Sequence, residues 1–291
     1  MKRLILLLVC ISHLAFAQDE DFDQYIYNLK TINPAFTGIV NEQNFDFQWL
    51  SSFDRDDAKT MLIGYSNKID KINSGVGLIF ASSKNSFVTN TKTSLLYNYQ
   101  FKLNGKNKLS VGTELKHLRQ SFDFSDLEFN PQDPVIIESM YSSTSNIDLH
   151  LGVLYQIKDL YVSLGSDNLL QTHPASGSGL EKQNTRTISV FVMNEFRFNR
   201  IKFAPSLLYR VNFENSWMLD INATLEINKW VLLGSILRID DEGQAFPVIN
   251  VGLNVKDKVQ IISSIYNGYR TQQTNIGNAI ELMLKAKIKN E

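Results

Sequence analysis

Three histidines, one acidic run and four scattered carboxylates are the places where this sequence could do chemistry. His117 and His150 fall inside strand-like runs and His173 in a loop, while His13 lies in the apolar leader. A zinc site needs several ligands converging on one point, announced by HExxH or paired His/Cys spacing, and neither pattern occurs. Each strand histidine therefore reads as a lumen or interface residue. Asp54-Arg55-Asp56-Asp57 offers carboxylates without the regular ligand spacing of a calcium loop, and reads as a solvated hairpin tip. Ser176-Gly177-Ser178-Gly179 reads as a flexible loop rather than a phosphate cradle. No GxSxG, P-loop or dinucleotide fingerprint appears. Asp148, Asp220, Glu226 and Glu281 come from different strand-like runs. The expectation is a protein that is not an enzyme, with no metal and no cofactor.

The elements that carry these residues are defined by alternation. In residues 216–227, Trp217, Leu219, Ile221, Ala223, Leu225 and Ile227 alternate with Met218, Asp220, Asn222, Thr224 and Glu226. Period two places the first set on one face of a strand and the second, mostly polar set on the other. The chain reverses at Asn228-Lys229, and Trp230 opens another strand. Strands of roughly ten residues with one apolar and one polar face, joined by tight turns, are the local signature of a transmembrane β-hairpin. The same alternation recurs in 147–157, 201–211 and 276–288.

From Gln43 onward fourteen strand-like runs are expected: 43–52, 59–67, 74–82, 90–102, 107–120, 145–157, 159–168, 184–198, 201–212, 216–227, 229–239, 246–256, 258–267 and 276–288. Every second connection is short, and the connections between them are mostly longer, notably 121–144, 169–183 and 268–275. Short turns at one end and long loops at the other are what outer-membrane barrels show at their periplasmic and extracellular ends. An even count leaves both termini on the short-turn side. The fold class is therefore an all-β transmembrane antiparallel β-barrel. Aromatic residues at the run ends, among them Trp49, Tyr97, Tyr161, Phe196, Trp230 and Tyr266, are expected to include the interfacial girdles. Val231–Leu233 is apolar on both faces and Val259–Ile262 nearly so, which fits strands that meet an internal plug or a partner protein.

The chain has 291 residues, is 43% hydrophobic and carries a formal net charge of −1. So small a net charge supplies no field to gather nucleic acid. Met1–Ala17 reads as a signal peptide: Lys2-Arg3, an apolar stretch, then Ala15-Phe16-Ala17 before the cut. Cys10, the one cysteine, would leave with it. Asp19–Asp23 reads as a solvated acidic end. Three segments result: residues 1–17 as signal peptide, 18–42 as a packed N-terminal segment, and 43–291 as the barrel.

Gln24-Tyr25, Asn28 and then Asn33-Pro34-Ala35-Phe36-Thr37-Gly38 resemble the opening of PorP/SprF-type membrane proteins, a family of the type IX secretion and gliding machinery of Bacteroidota. Ile26 stands where that family usually has methionine, and Phe36-Thr37 replaces Tyr-Ala. The resemblance implies a fatty-acid-transporter-like barrel of fourteen strands in the outer membrane, with a short plug-like N-terminal segment. It implies Gln24, Tyr25, Asn28, Asn33, Pro34, Ala35 and Gly38 as the motif positions, serving the plug or a partner contact. Pro34 biases Asn33 toward extended geometry, and Gly38 permits a tight exit into the first strand. The partners it implies are a secreted adhesin-like surface protein, held by its C-terminal domain, and periplasmic secretion components, with lipid around the wall. A channel for small hydrophobic molecules is the alternative raised by the strand number.

Overall fold

The computed structural model describes residues 22–39, 42–54, 58–104, 107–123, 143–171, 185–213, 216–270 and 275–289. His173, Ser176–Gly179, residues 55–57 and the signal-peptide assignment lie outside them.

The strands are β1 (Glu42–Ser52), β2 (Lys59–Ile69), β3 (Ser74–Asn85), β4 (Val88–Lys102), β5 (Asn107–Phe122), β6 (Ser143–Ile157), β7 (Leu160–Asp167) and β8 (Thr187–Asn194). They continue as β9 (Phe196–Phe198), β10 (Ile201–Asn212), β11 (Trp217–Ile227), β12 (Val231–Asp240), β13 (Ala245–Val255), β14 (Val259–Arg270) and β15 (Asn275–Lys289). Every neighbouring pair is antiparallel, and β15 returns to β1 with Trp49 opposite Leu282. β8 and β9 both pair with β10, on either side of Glu195, so they form one pass interrupted at that residue. The result is a closed fourteen-strand antiparallel barrel. Closure leaves no long edge of unpaired backbone groups, which the hydrocarbon could not satisfy.

The short connections are tight for a local reason. Asn228 and Lys229 have φ of 52° and 62°, and Lys256 and Asp257 have φ of 54° and 56°. Two consecutive positive φ angles give the turn whose twist matches a hairpin. These turns, with 158–159 and 199–200, lie at the end from which β1 starts and at which β15 stops, the periplasmic end of such a barrel. The opposite end carries most of the longer connections, but β3 and β4 are joined there by Ser86-Phe87 alone.

Alternation assigns the faces as the sequence implies. Along β13 the burial of Phe246–Val255 alternates residue by residue, with Ile249, Val251 and Leu253 exposed and Val248, Asn250 and Gly252 buried. Aromatic pairs such as Phe45–Tyr65, Tyr99–Phe101 and Tyr209–Trp217 sit on the outer face, at centroid distances of 4.8, 4.7 and 6.3 Å. Two expected girdle residues point the other way. Tyr266 is 2% exposed and faces Glu281 in the lumen, and Tyr161 packs on the lumen cluster. Both stand on the inward phase of their strands, where an aromatic ring has the N-terminal segment to pack against.

Candidate functional site

The lumen holds the chain's own N-terminal segment. Residues 22–39 form three 3₁₀ turns, Asp23–Tyr27, Leu29–Thr31 and Pro34–Phe36, before the chain enters β1. These turns cannot satisfy all their backbone groups internally, so the barrel wall must supply partners.

Along β11, β12, β14, β15 and β1 the partners are charged or hydrogen-bonding side chains. The Asp23 carboxylate pairs with Arg238. Arg238 also donates from Nε and a terminal nitrogen to Asp220 at 2.8 and 2.9 Å. Arg210 reaches the same carboxylate at 3.3 Å. Tyr25 donates its hydroxyl to Asp220 at 3.0 Å and accepts from Asn222 at 2.9 Å. Burial holds the Tyr25 hydroxyl well above its ordinary pKa, with the Asp220 charge acting in the same direction, so it stays a neutral donor. Glu281 accepts from the backbone N–H groups of Asp23 and Gln24 at 3.1 and 3.3 Å, from Gln48 at 3.3 Å, and from Tyr266. Gln24 donates to Ser264 Oγ at 2.6 Å and to the Ile262 carbonyl at 3.3 Å. Asn28 donates to Gln48 at 3.2 Å, and Lys30 pairs with Asp46 on β1. Every one of these charges is buried beside an opposite charge or a hydrogen-bonding partner, as a low-dielectric interior requires.

Along β5, β6 and β7 the contact is steric. Asn33 caps the turn at Pro34–Phe36 by accepting from Ala35 N at 2.9 Å, and donates to the Leu164 carbonyl at 3.0 Å. Its extended conformation, φ −159° and ψ 120°, is the one that the following proline favours. Gly112 of β5 lies against the Pro34–Ala35 backbone and Gly152 of β6 against the Asn33 side chain. A Cβ at either glycine would overlap the plug. Asn98 donates to the Ala35 carbonyl and Gln100 to the Gly38 carbonyl, the latter at 2.8 Å. Gly38 has φ 61°, which suits a residue without Cβ where the plug turns out toward β1.

Apolar packing fills the space between. Tyr25, Ile26, Ala35 and Phe36 share one cluster with Leu154, Phe191, Met193, Ala204 and Leu208, and the Phe36 ring meets Phe191 edge-on at 5.8 Å. Leu232 and Ile262 turn inward with Met283 against Tyr27, which is why their runs are apolar on both faces. Phe22 sits among Leu50, Leu62, Ile79, Ile236 and Tyr266. Below the plug, toward the short turns, lies a cleft of about 190 Å³ bordered by Tyr27, Leu29, Ile39, Tyr161 and Lys285.

All seven motif positions, Gln24, Tyr25, Asn28, Asn33, Pro34, Ala35 and Gly38, are therefore buried in the lumen. Of the four carboxylates, Asp220 and Glu281 are gathered on the plug, bridged through Asp23 and Arg238. Asp148 is apart, accepting from the backbone N–H groups of Leu149 and Leu170 at 2.7 and 2.9 Å. Glu226 lies in a basic cleft at the periplasmic turns with Arg197, Arg200, Lys202 and Lys229. His117 faces outward, whereas His150 Nδ1 lies 3.3 Å from Glu114 beside the Lys116–Asp167 pair. Asp23 corrects the sequence reading: it is fully buried rather than part of a solvated end. Arg238, the one charged residue of β12 before its last position, also belongs to the site, outside the residues that the motif marks. A lone arginine on the same phase as Leu232 and Ile236 of an otherwise apolar strand is the signal that the sequence offers.

A closed barrel of this size, occupied by its own N-terminal segment, defines an outer-membrane β-barrel protein. In fold it is similar to the P. putida toluene transporter TodX, at 9% identity over 89% of this chain and 93% of that one, with a TM-score of 0.56. A Pseudomonas aeruginosa FadL homologue is similar at 9% identity over 88% of this chain and 92% of that one, TM-score 0.54. No curated protein matches in sequence. Residues 14–286 match the type IX secretion system membrane protein family PorP/SprF, and the chain belongs to that family.

Proposed function

We propose that this chain is a sealed, non-enzymatic platform of the type IX secretion machinery. It binds a secreted, adhesin-like surface protein, anchoring it or helping its export, and connects to periplasmic secretion components. The observation that carries this reading is the occupied lumen: residues 22–39 are bonded to the wall on both sides, so the rims and outer faces remain as working surfaces. In the same reading Met1–Ala17 is removed on export, 18–42 is the plug-bearing segment and 43–291 the barrel. Gln24, Tyr25, Asn28, Asn33, Pro34, Ala35 and Gly38 then act by seating the plug, not by touching cargo.

Affinity capture of a tagged chain from outer membranes tests this. A large secreted protein or periplasmic secretion components should be recovered, and recovery of neither overturns the reading. The competing role, a channel for small hydrophobic molecules, needs a lumen path past the plug or a lateral opening in the wall. Purified protein in liposomes should show neither conductance nor hydrophobic-solute uptake. Uptake by the intact protein would favour the channel.

A further inference from the structure

Near its long-loop end the outward face of β2–β6 changes character. One row across these strands, Tyr65, Leu78, Leu95, Leu115 and Leu149, is apolar and suited to acyl chains. Farther toward the long loops, Lys59 stands directly opposite Lys84, Arg119 lies between Thr91 and Ser145, and His117 between Thr93 and Ile147. Lys59, Lys84, His117 and Arg119 are all exposed. No aspartate or glutamate occupies the outward phase of these strands, and among the described residues none of the three permanent cations has an ion-pair partner. Asp123, one residue past β5, lies beyond the last of these rows.

Like charges directly opposite on neighbouring strands repel. Lys59 and Lys84 therefore need an anion between them more than they need each other. β4, β5 and β6 have 15, 16 and 15 residues, whereas about 9–11 suffice to cross the hydrocarbon. Their long-loop ends thus extend into the headgroup layer of the outer leaflet, where these cations sit. Lys84 and Arg119 are two strand spacings and two residues apart, about 12 Å, with the hydroxyl-bearing Thr91 on the strand between them.

We propose that this face binds the phosphorylated headgroup of an outer-leaflet glycolipid. Lys59 and Lys84 clamp one phosphate, Arg119 with His117 meets a second, Ser82 and Thr91 face the sugar between them, and Ser145 flanks Arg119 on its far side. A phospholipid with a single phosphate satisfies the lysine pair alone. The site is separate from the plug and from any cargo surface, so its failure leaves the platform reading untouched.

The test is native mass spectrometry of the full-length protein in detergent, loaded with bisphosphorylated lipid A, dephosphorylated lipid A or phosphatidylglycerol. The wild type should retain bisphosphorylated lipid A on the order of tenfold better than either of the others, since each interfacial cation adds a comparable increment. The triple variant Lys59→Gln/Lys84→Gln/Arg119→Gln should lose that preference. Arg200→Gln/Lys229→Gln at the periplasmic turns should keep it. Heat-modifiable migration on gels establishes that each variant is folded, and Lys84→Gln alone substitutes if the triple is not. Equal retention of the three lipids by the wild type, or an unchanged preference in the folded variant, overturns the proposal.

Discussion

On the wall made by β11, β12, β14 and β15 the plug is held by charge, while on the wall made by β5 and β6 it is held by shape. The first grip runs through Asp23, Arg238, Asp220 and Glu281, groups that carry strength only while each has its partner. The second runs through two glycines that leave room for Asn33–Ala35 and would close that room with a single methyl group. A charged grip gives orientation and is sensitive to the loss of any one member. A steric grip sets position and tolerates changes elsewhere. Together they place a short segment with little regular structure in one register inside a wide cylinder.

The charged side should give the largest effect. Arg238→Met leaves Asp23 buried without this guanidinium and Asp220 with Arg210 alone, a loss of about 3–5 kcal/mol. The expected outcome is a lower thermal midpoint and protease access to residues 22–39 in folded barrels. Next is the steric side: Gly112→Val should cost about 1–3 kcal/mol by overpacking. It should expel the plug while every ion pair of the opposite wall remains chemically possible, so conductance should appear in planar bilayers. Combining the two substitutions measures whether the grips act on one rigid body. If they do, the double variant is clearly less destabilised than the sum, because a displaced plug has little left to lose. Strict additivity would instead mean that each wall holds its own part of the segment. Asn33→Ala, which removes the cap on Ala35 and the bond to Leu164, should cost about 1 kcal/mol.

The smallest effect is a pH response. Burial raises the Tyr25 pKa, so this group adds no pH dependence below its unfolded value near 10. Stability should fall as pH rises past that value, because the unfolded chain then releases a proton the folded chain keeps. Alkaline melts of the wild type and Tyr25→Phe should separate only above about pH 10, beyond a constant offset of roughly 0.5–1.5 kcal/mol for the lost hydrogen bonds. Parallel curves throughout would remove Tyr25 from the charged grip.

What was legible in the sequence was what depends on near neighbours. Alternation along Trp217–Ile227 states which face is wet, and Asn228-Lys229 states where the strand reverses. Asn33-Pro34 carries its own extended geometry and Gly38 its own exit. What was not legible depends on closure. Asp23 lies far from Arg238 and Glu281 along the chain and meets them only once the cylinder is complete, so locally it looks like the end of an acidic tail. Gly112 and Gly152 look like ordinary weak points of strands until the backbone they accommodate is in place. Tyr266 has the composition of a girdle residue, and only its phase along β14 turns it inward. Leu232 and Ile262 broke the alternation for a reason supplied by Tyr27, a residue outside the barrel wall.

The position of Phe22 bears on how such a molecule can be made. It shares one buried cluster with residues from β1, β2, β3, β4, β12, β13, β14 and β15, so the first described part of the chain packs together with the last strand. A segment carrying Asp23 and Lys30 would have to shed its bound water to slip into a finished cylinder from below. Residues 22–39 and the seam between β15 and β1 are therefore one packed unit, in which the last strand both closes the wall and holds the first described segment.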